Sequence, residues 1–193
     1  MRKSLKHLIK QLIPLSAFCL ALTGPLSVPA AHAQAGTSSG FQFRWENSRD
    51  FRNLYYFLTL ADAQARSDYY LVLGPKDRKT ALLKLAISVP SYFDAKINAS
   101  DVRLCTIKKG GIASKTRCLE TIPATVEVAP DGTAIEIFPD RPVPTGNTIG
   151  VNMQIFNPSA GMYQFNALGQ APGAVPISGY LGSWVIEING AGE

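Results

Sequence analysis

Several segments of the chain alternate hydrophobic and polar residues with a period of two. In the C-terminal part, residues 149–155, 162–167 and 180–188 follow this pattern, and Pro, Gly and Asn residues separate them. Successive side chains of a β-strand point to opposite faces, so the pattern predicts three consecutive strands, each with one buried face. We expect these strands to build much of the core. Trp184, which shares a strand face with Ile186, is predicted to be its anchor.

The same period predicts strands earlier in the chain, at residues 53–60, 68–73, 101–105, 125–128 and 134–138. A helical turn is the alternative for the first of them, because positions 54, 57, 58 and 61 are also apolar. Residues 80–89 are rich in Ala, Leu and Lys, which favour a helix, but their alternation up to Pro90 favours a strand. The charged residues 76–79 are predicted to be a solvated connection.

Turn-forming residues divide these segments and indicate the fold class. Pro130-Asp131-Gly132-Thr133 is predicted to be a hairpin turn, because Asp-Gly readily adopts the positive φ that such turns need. Residues 139–146 contain three prolines, which predicts an edge or a loop that crosses between sheets. Turns recur about every 8–12 residues without a long helical pattern, which predicts an all-β, mainly antiparallel, immunoglobulin-like β-sandwich with at most short helical turns.

The N-terminus has the features of a secretory leader. Basic residues precede an apolar stretch at residues 12–22, and Ala31-His32-Ala33 is an A-x-A cleavage site. A membrane anchor needs roughly 20 apolar residues, but Pro14 interrupts this stretch and Gly24, Pro25 and Pro29 follow it. Residues 1–33 are therefore predicted to be a cleaved signal peptide, 34–47 a flexible segment and 48–190 a single domain without a transmembrane span.

Removal of the leader changes the charge of the protein. The chain has 19 Lys and Arg against 14 Asp and Glu, and the leader holds four of the basic residues and no acidic one. The mature chain is therefore 15 minus 14, or +1, which gives no reason to expect nucleic acid as a partner. We expect an exported protein of the periplasm, cell envelope or medium, with the thylakoid lumen as a further option.

Both histidines of the chain, His7 and His32, lie in the leader. A mature chain without imidazole excludes Ser–His–Asp and Cys–His nucleophiles and zinc or copper sites built on histidine. We accordingly assign no catalytic, cofactor-binding or metal-binding residue.

Cys105 and Cys118 are the cysteines that remain after cleavage, and an even count in an exported protein predicts a disulfide. If residues 110–113 form a four-residue hairpin loop, Lys109 pairs with Ser114 and the two cysteines face each other.

The same predicted hairpin is strongly basic and lacks acidic residues between positions 102 and 119. Its five cations, which we call the basic hairpin, are Arg103, Lys108, Lys109, Lys115 and Arg117. They are candidates for contact with an anionic envelope polymer, lipid headgroups or an acidic envelope protein. The alternative is a solvated hairpin whose charges discourage edge-to-edge aggregation.

Aromatic pairs and scattered acids offer two further hypotheses. The paired aromatic residues are Tyr55, Tyr56, Phe57, Tyr69, Tyr70, Tyr92 and Phe93. Neighbours on a strand face opposite sides, so one member of each pair is either a binding surface or ordinary sheet surface. The acids form no calcium-loop motif, although two carboxylates that meet in space could form a glycosidase dyad.

Several motifs of this chain are similar to one family. They are Tyr69-Tyr70-Leu71, Pro90-Ser91-Tyr92-Phe93-Asp94, Ile135-Glu136-Ile137-Phe138-Pro139 with Pro142-Val143-Pro144-Thr145-Gly146, Asn157-Pro158 with Gly161, Tyr163-Gln164-Phe165-Asn166-Ala167 and Tyr180-Leu181-Gly182-Ser183-Trp184-Val185-Ile186. With these motifs the chain resembles the secreted cyanobacterial family called domain of unknown function 2808. The resemblance implies export and a β-rich domain, and it carries over no catalytic residue. Residues 105–118 are longer and more basic than the family pattern.

These observations favour a non-catalytic exported β-sandwich that serves as a structural or binding module of the cell envelope. The alternative is a carboxylate-dependent hydrolase of envelope polysaccharide, which would need a cleft with two carboxyl groups roughly 5–10 Å apart.

Overall fold

The computed structural model describes residues 52–111, 114–175 and 177–190. The predicted signal peptide 1–33 and flexible segment 34–47 lie outside these residues. The described part contains ten strands and one 3₁₀ turn: β1 Tyr56–Leu58, β2 Arg66–Leu73, β3 Lys84–Ser88, the turn Ala99–Asp101, β4 Val102–Lys108, β5 Arg117–Thr121, β6 Ala124–Val128, β7 Ala134–Pro139, β8 Ile149–Phe156, β9 Gly161–Gln170 and β10 Ser178–Ile188.

The strands form two five-stranded antiparallel sheets that enclose one hydrophobic core. The first sheet has the order β1-β2-β8-β4-β5, and the second has the order β10-β9-β3-β7-β6. The prediction of an antiparallel, immunoglobulin-like β-sandwich with short helical turns is confirmed. The three C-terminal strands are also confirmed, but β8 belongs to the first sheet and β9 and β10 to the second.

The predicted strand at residues 53–60 is only three residues long, and the helical alternative is wrong. The segment is short because it moves between the sheets. Asn53 pairs in parallel with Ser183 of β10, β1 pairs with β2, and Asp62 then pairs in parallel with Asn189. These contacts join the two sheets along one side of the sandwich.

The opposite side is joined where β5 of the first sheet continues into β6 of the second. The Ile122 amide still donates to the Leu104 carbonyl of the first sheet at 2.9 Å, and the next residue is Pro123. Proline has no amide N–H to donate to a strand ladder, so the chain changes sheets at a position where no backbone hydrogen bond is lost. The proline-rich residues 140–148 also cross between the sheets, as predicted, and lead from β7 to β8.

Trp184 lies at the centre of the core with no exposed surface. It pairs across β9–β10 with Phe165, and its indole Nε1 donates to the Val72 carbonyl of the first sheet at 3.2 Å. The ring therefore contributes apolar burial and also satisfies its polar group through a bond between the sheets. The hairpin turn at Asp131-Gly132 is as predicted, with Gly132 at φ +73°.

Gly182 lies at a register shift in β10. Its lack of a side chain leaves space for Arg52 and Leu54, which pack against it. Its φ is +152°, and a Cβ atom there would lie 2.6 Å from Leu54 Cγ and 2.9 Å from the Arg52 carbonyl oxygen. We expect Gly182→Ala to lower the free energy of unfolding by about 1–3 kcal/mol, because both the backbone and the packing must shift. Chemical denaturation measures the loss. The control is Gly179→Ala on the same strand, where a Cβ atom would meet nothing within 4 Å, and equal losses in both variants would contradict the steric explanation.

Candidate docking surface

Four connections meet at one end of the sandwich because of the strand order. They are residues 74–83, 109–116, 140–148 and 171–177, which join β2 to β3, β4 to β5, β7 to β8 and β9 to β10. The register places the strand ends that bear them together, since Leu73 pairs with Ile149 and Lys84 pairs with Gln170. We call the described residues of these connections and the adjoining strand ends the basic end.

Backbone hydrogen bonds hold these connections against one another. Leu82 and Val143 exchange two bonds of 2.9 and 2.8 Å between the first and third connections. The Leu83 amide donates to the Gln170 carbonyl at 2.8 Å, at the base of the fourth connection. The Ile107 amide donates to Thr148 at 2.9 Å, which ties the basic hairpin to the third.

Arg78 strengthens this arrangement from inside. The sequence predicts residues 76–79 as a solvated connection, but Arg78 is buried, with 2% of its surface exposed. Its Nη1 donates to the Val143 carbonyl at 3.3 Å and its Nη2 to the Asn147 carbonyl at 3.0 Å. Burial lowers the pKa of Arg78, and the neighbouring Asp77 opposes that effect. An arginine stays charged under such conditions, so its guanidinium fixes the third connection and adds to the positive potential.

The disulfide between Cys105 and Cys118 is present, with a Cα–Cα distance of 5.6 Å. It lies in a small apolar cluster with Val72 and Ile107, apart from the main core. The predicted register of the hairpin is wrong, however. Cys105 pairs with Thr121, and Cys118 pairs with Ile107, because the ladder shifts after Thr106. The turn is also tighter than predicted, since Gly111 rather than Lys109 pairs with Ser114.

All five cations of the basic hairpin are exposed, but the structure brings only four of them together. Arg103 lies five residues before Lys108 on β4, roughly 16 Å along the strand, where its Nε donates to Asn152 Oδ1 at 2.8 Å. Lys108 and Arg117 face each other directly across β4 and β5. Lys109 Nζ lies 4.8 Å from the centre of the Tyr55 ring, a distance at which cation and ring attract each other.

The facing pair of like charges disfavours the isolated hairpin, because directly opposed like charges destabilise a strand pair. Among the residues that the structure describes, the only ion pair joins Lys84 to Glu136 on the second sheet, at 2.7 Å. The hairpin cations are thus uncompensated by carboxylates of the described chain and remain available to an anion.

Three more exposed cations, Lys76, Lys79 and Arg141, lie on the neighbouring connections of the basic end. Sequence reasoning missed them because each is more than twenty residues from the hairpin, and only the strand order brings them near it. The seven exposed cations of the basic end are Lys76, Lys79, Lys108, Lys109, Lys115, Arg117 and Arg141, against the two carboxylates Asp77 and Asp140.

The other end of the sandwich has the opposite charge. Its connections, residues 59–65, 89–101, 129–133 and 157–160, contain the exposed acids Asp62, Asp94, Asp101 and Asp131 and the cation Lys96, and the adjoining end of β2 adds the exposed cation Arg66. We call it the acidic end. The charge of the described domain is therefore divided along the strand direction.

Two carboxylates of the acidic end are held in their ionised form. Asp94 accepts the Ser159 hydroxyl at 2.7 Å and the Ser159 amide at 3.0 Å, and these bonds lower the pKa of Asp94. Asp131 accepts the amide and hydroxyl of Thr133, which lower the pKa of Asp131. A glycosidase acid needs a raised pKa, so these two groups are shifted in the opposite direction. The described residues hold no group of three or more His, Cys, Asp or Glu that could bind a metal ion.

The aromatic pairs divide between the core and the surface. Tyr69 and Phe93 are buried, while Tyr55 is 42% exposed. Tyr92 is 62% exposed and stacks on Tyr163, with ring centres 5.6 Å apart. Tyr92 lies near the acidic end and Tyr55 near the basic end, so these two exposed rings belong to different surfaces.

No helix in the described ranges is long and apolar enough to cross a membrane. No curated protein matches the chain.

Three solved structures similar to it each cover 72% of this chain. BslA, a bacterial hydrophobin, has a TM-score of 0.47 at 15% identity over 98% of its own chain. The collagen-binding domain of a Staphylococcus aureus adhesin has a TM-score of 0.39 at 10% identity over 99% of its own chain.

The third structure is the collagen-binding subdomain of the Enterococcus faecalis surface protein ACE, with a TM-score of 0.41 at 10% identity over 99% of its own chain. A family model described as protein of unknown function (DUF2808) matches residues 43–188, which include every strand described above. The chain belongs to the DUF2808 family of proteins of unknown function.

Proposed function

We propose that the mature chain is a non-catalytic binding module of the cell envelope that docks through its basic end on an anionic surface. One observation carries this proposal. Seven exposed cations from three connections and the adjoining strand ends stand at one end of the sandwich, and four exposed acids stand at the other.

Such a division of charge orients a molecule even when its net charge is only +1. An anionic surface attracts the basic end and repels the acidic end, so approach in one orientation is favoured. Bound anions would also relieve the repulsion between Lys108 and Arg117, which face each other across the hairpin.

The basic end is also well ordered for binding. The disulfide joins β4 to β5, and Arg78 and the backbone bonds of Leu82 with Val143 fix the neighbouring connections. Cations that are already held in place lose less conformational entropy on binding than cations on free loops.

Export and the single domain at residues 48–190 are parts of the same proposal. The predicted leader at residues 1–33 supports export, and so does the disulfide, since disulfides persist in oxidising compartments. The absence of histidine after the leader and the lowered pKa values of Asp94 and Asp131 support a non-catalytic role.

A pull-down with purified envelope tests the proposal. Protein expressed from the full-length chain is compared with the triple variant Lys108→Gln, Lys109→Gln, Lys115→Gln at low and high salt. We expect the wild type to bind at low salt and to be released as salt rises, because exposed charges are screened within about 10 Å at 0.1 M salt.

The triple variant should bind less than a tenth as much at low salt, since about 1 kcal/mol is lost per cation near an anionic surface. Its thermal melting curve serves as the control for folding. Equal binding by both proteins at low salt would contradict the proposal and leave the hairpin as a solvated, disulfide-bonded edge.

A further inference from the structure

The connection between β9 and β10 is apolar and forms part of the basic end. Residues 171–177 carry no charged, hydroxyl or amide side chain. Val175 is 66% exposed and Ile177 is 70% exposed, the highest values among the large hydrophobic residues on the described surface. Leu83, at the base of the connection, is 36% exposed. We call Leu83, Val175 and Ile177 the apolar tip.

The tip contributes little to folding, because its aliphatic side chains stay in water while the core is closed beneath it. At the base of the β9–β10 hairpin, a Cβ atom on Gly169 would lie 2.9 Å from side-chain atoms of both Leu82 and Leu181, so packing there leaves no free space. Exposed aliphatic surface has an unfavourable free energy in water, and three such side chains at one end of the sandwich favour contact with an apolar medium.

The tip also has a defined shape. The Ile177 amide donates to the Val175 carbonyl at 2.9 Å, which holds the two most exposed residues of the tip close to each other. The Leu83 amide donates to Gln170, so Leu83 is fixed to the start of the same connection. Little further ordering is needed before the three side chains can enter an apolar layer.

Cations of the basic end lie on the connections that adjoin this tip. Lys76 and Lys79 lie on the same connection as Leu83. Arg141 lies on the connection between β7 and β8, which is held to the first connection by the backbone bonds between Leu82 and Val143. A soluble anionic polymer would use the cations and gain nothing from Val175 and Ile177. An anionic bilayer would use both, with cations at the headgroup phosphates and aliphatic side chains at the acyl boundary.

We propose that the apolar tip inserts into the interface of an anionic lipid bilayer while the cations of the basic end bind the lipid headgroups. This inference rests on the proposed function and names the anionic surface as a lipid membrane. It assigns a role to the exposed aliphatic residues Val175 and Ile177, which electrostatic attraction to an anionic surface does not explain.

The test compares two probes, vesicles and a soluble anionic polymer. Protein expressed from the full-length chain is tested by flotation with vesicles of phosphatidylcholine alone and with vesicles of phosphatidylcholine and phosphatidylglycerol. In a separate experiment it is passed over dextran sulfate beads. The key variant is Val175→Ser with Ile177→Ser. The control is Leu60→Ser with Met162→Ser, which removes two exposed apolar side chains at or near the acidic end.

We expect the wild type to float with the mixed vesicles, to leave phosphatidylcholine vesicles unbound and to bind dextran sulfate until salt is raised. The tip variant should lose roughly tenfold or more in partition to the mixed vesicles and should keep its binding to dextran sulfate. The control should match the wild type on both probes. In the Ile177→Trp variant, the emission maximum of the new indole should shift to shorter wavelength when the mixed vesicles are added. It should not shift with vesicles of phosphatidylcholine.

Three results would overturn the inference. Wild type that binds dextran sulfate but not mixed vesicles, or a tip variant that floats like the wild type, contradicts membrane insertion and leaves the proposed function intact. Wild type that binds neither probe contradicts the proposed function and this inference together.

Discussion

Trp184→Ala lowers the free energy of unfolding by about 3–5 kcal/mol, the range for truncation of a large buried ring. The indole is fully buried, with Phe165 beside it on the second sheet and the first sheet on its other side. Its removal leaves a cavity where the sheets meet, and it leaves the Val72 carbonyl without the Nε1 donor. Urea denaturation followed by circular dichroism measures the loss.

Trp184→Phe separates the two contributions of the indole. The smaller ring keeps most of the apolar burial but gives no hydrogen bond to the Val72 carbonyl, so we expect a loss of about 1–3 kcal/mol. A loss under about 1 kcal/mol for Trp184→Ala would contradict its place as the anchor of the core.

Removal of the Cys105–Cys118 disulfide should lower the free energy of unfolding by about 3 kcal/mol in the chain-entropy model, given a separation of 13 residues. Reduction by a phosphine tests the bridge, and the double variant Cys105→Ala, Cys118→Ala removes it permanently. Because Cys105 is fully buried, alanine is chosen over serine to avoid an unpaired hydroxyl.

The thiol content checks the same bridge independently. Cys105→Ser alone should leave Cys118 open to a thiol reagent, while the exported wild type should give no reaction. Two free thiols in the exported wild type, or no change in melting temperature on reduction, would contradict the prediction.

Strand alternation predicted the fold because burial on one face imposes a period of two on the sequence. It was sufficient for β7, for most of β9 and for the first six residues of β2, where inward and outward residues alternate. It also overcame the helical composition of residues 80–89, since the strand Lys84–Ser88 places Leu85 and Ile87 in the core.

Alternation could not reveal the irregular positions. In the basic hairpin, the ladder passes from Thr106–Glu120 to Ile107–Cys118, so Leu119 has no partner. One extra residue in a strand leaves the composition almost unchanged, so the bulge is invisible in the sequence. The disulfide was still found, because the two cysteines needed only to approach each other.

Buried polar residues were also missed. Asn157 was interpreted as part of a turn, yet it is 2% exposed and its side chain bonds to three residues far away in the sequence. It accepts the Tyr69 hydroxyl at 2.7 Å and donates to the carbonyl groups of Leu60 and Asp62. Burial also raises the pKa of Tyr69, so this hydroxyl stays a donor. A short polar side chain before proline is typical of a turn, and only long-range contacts reveal such a role.

The basic end shows the same limit for the candidate site. The sequence pointed to five cations of one hairpin because they are close in the chain. Strand direction then separates Arg103 from the others, and strand order adds Lys76, Lys79 and Arg141. Neither effect is visible without the topology.

The most direct measurement of the docking proposal compares two triple variants of equal charge for binding to purified envelope at low salt. One is Lys108→Gln, Lys109→Gln, Lys115→Gln at the basic end. The other is Arg66→Gln, Lys96→Gln, Arg103→Gln, whose exposed cations lie outside it. We predict that the first variant loses at least tenfold in binding and that the second stays within about threefold of the wild type. Equal losses in both would show that net charge alone governs attraction, and they would contradict a docking surface at the basic end.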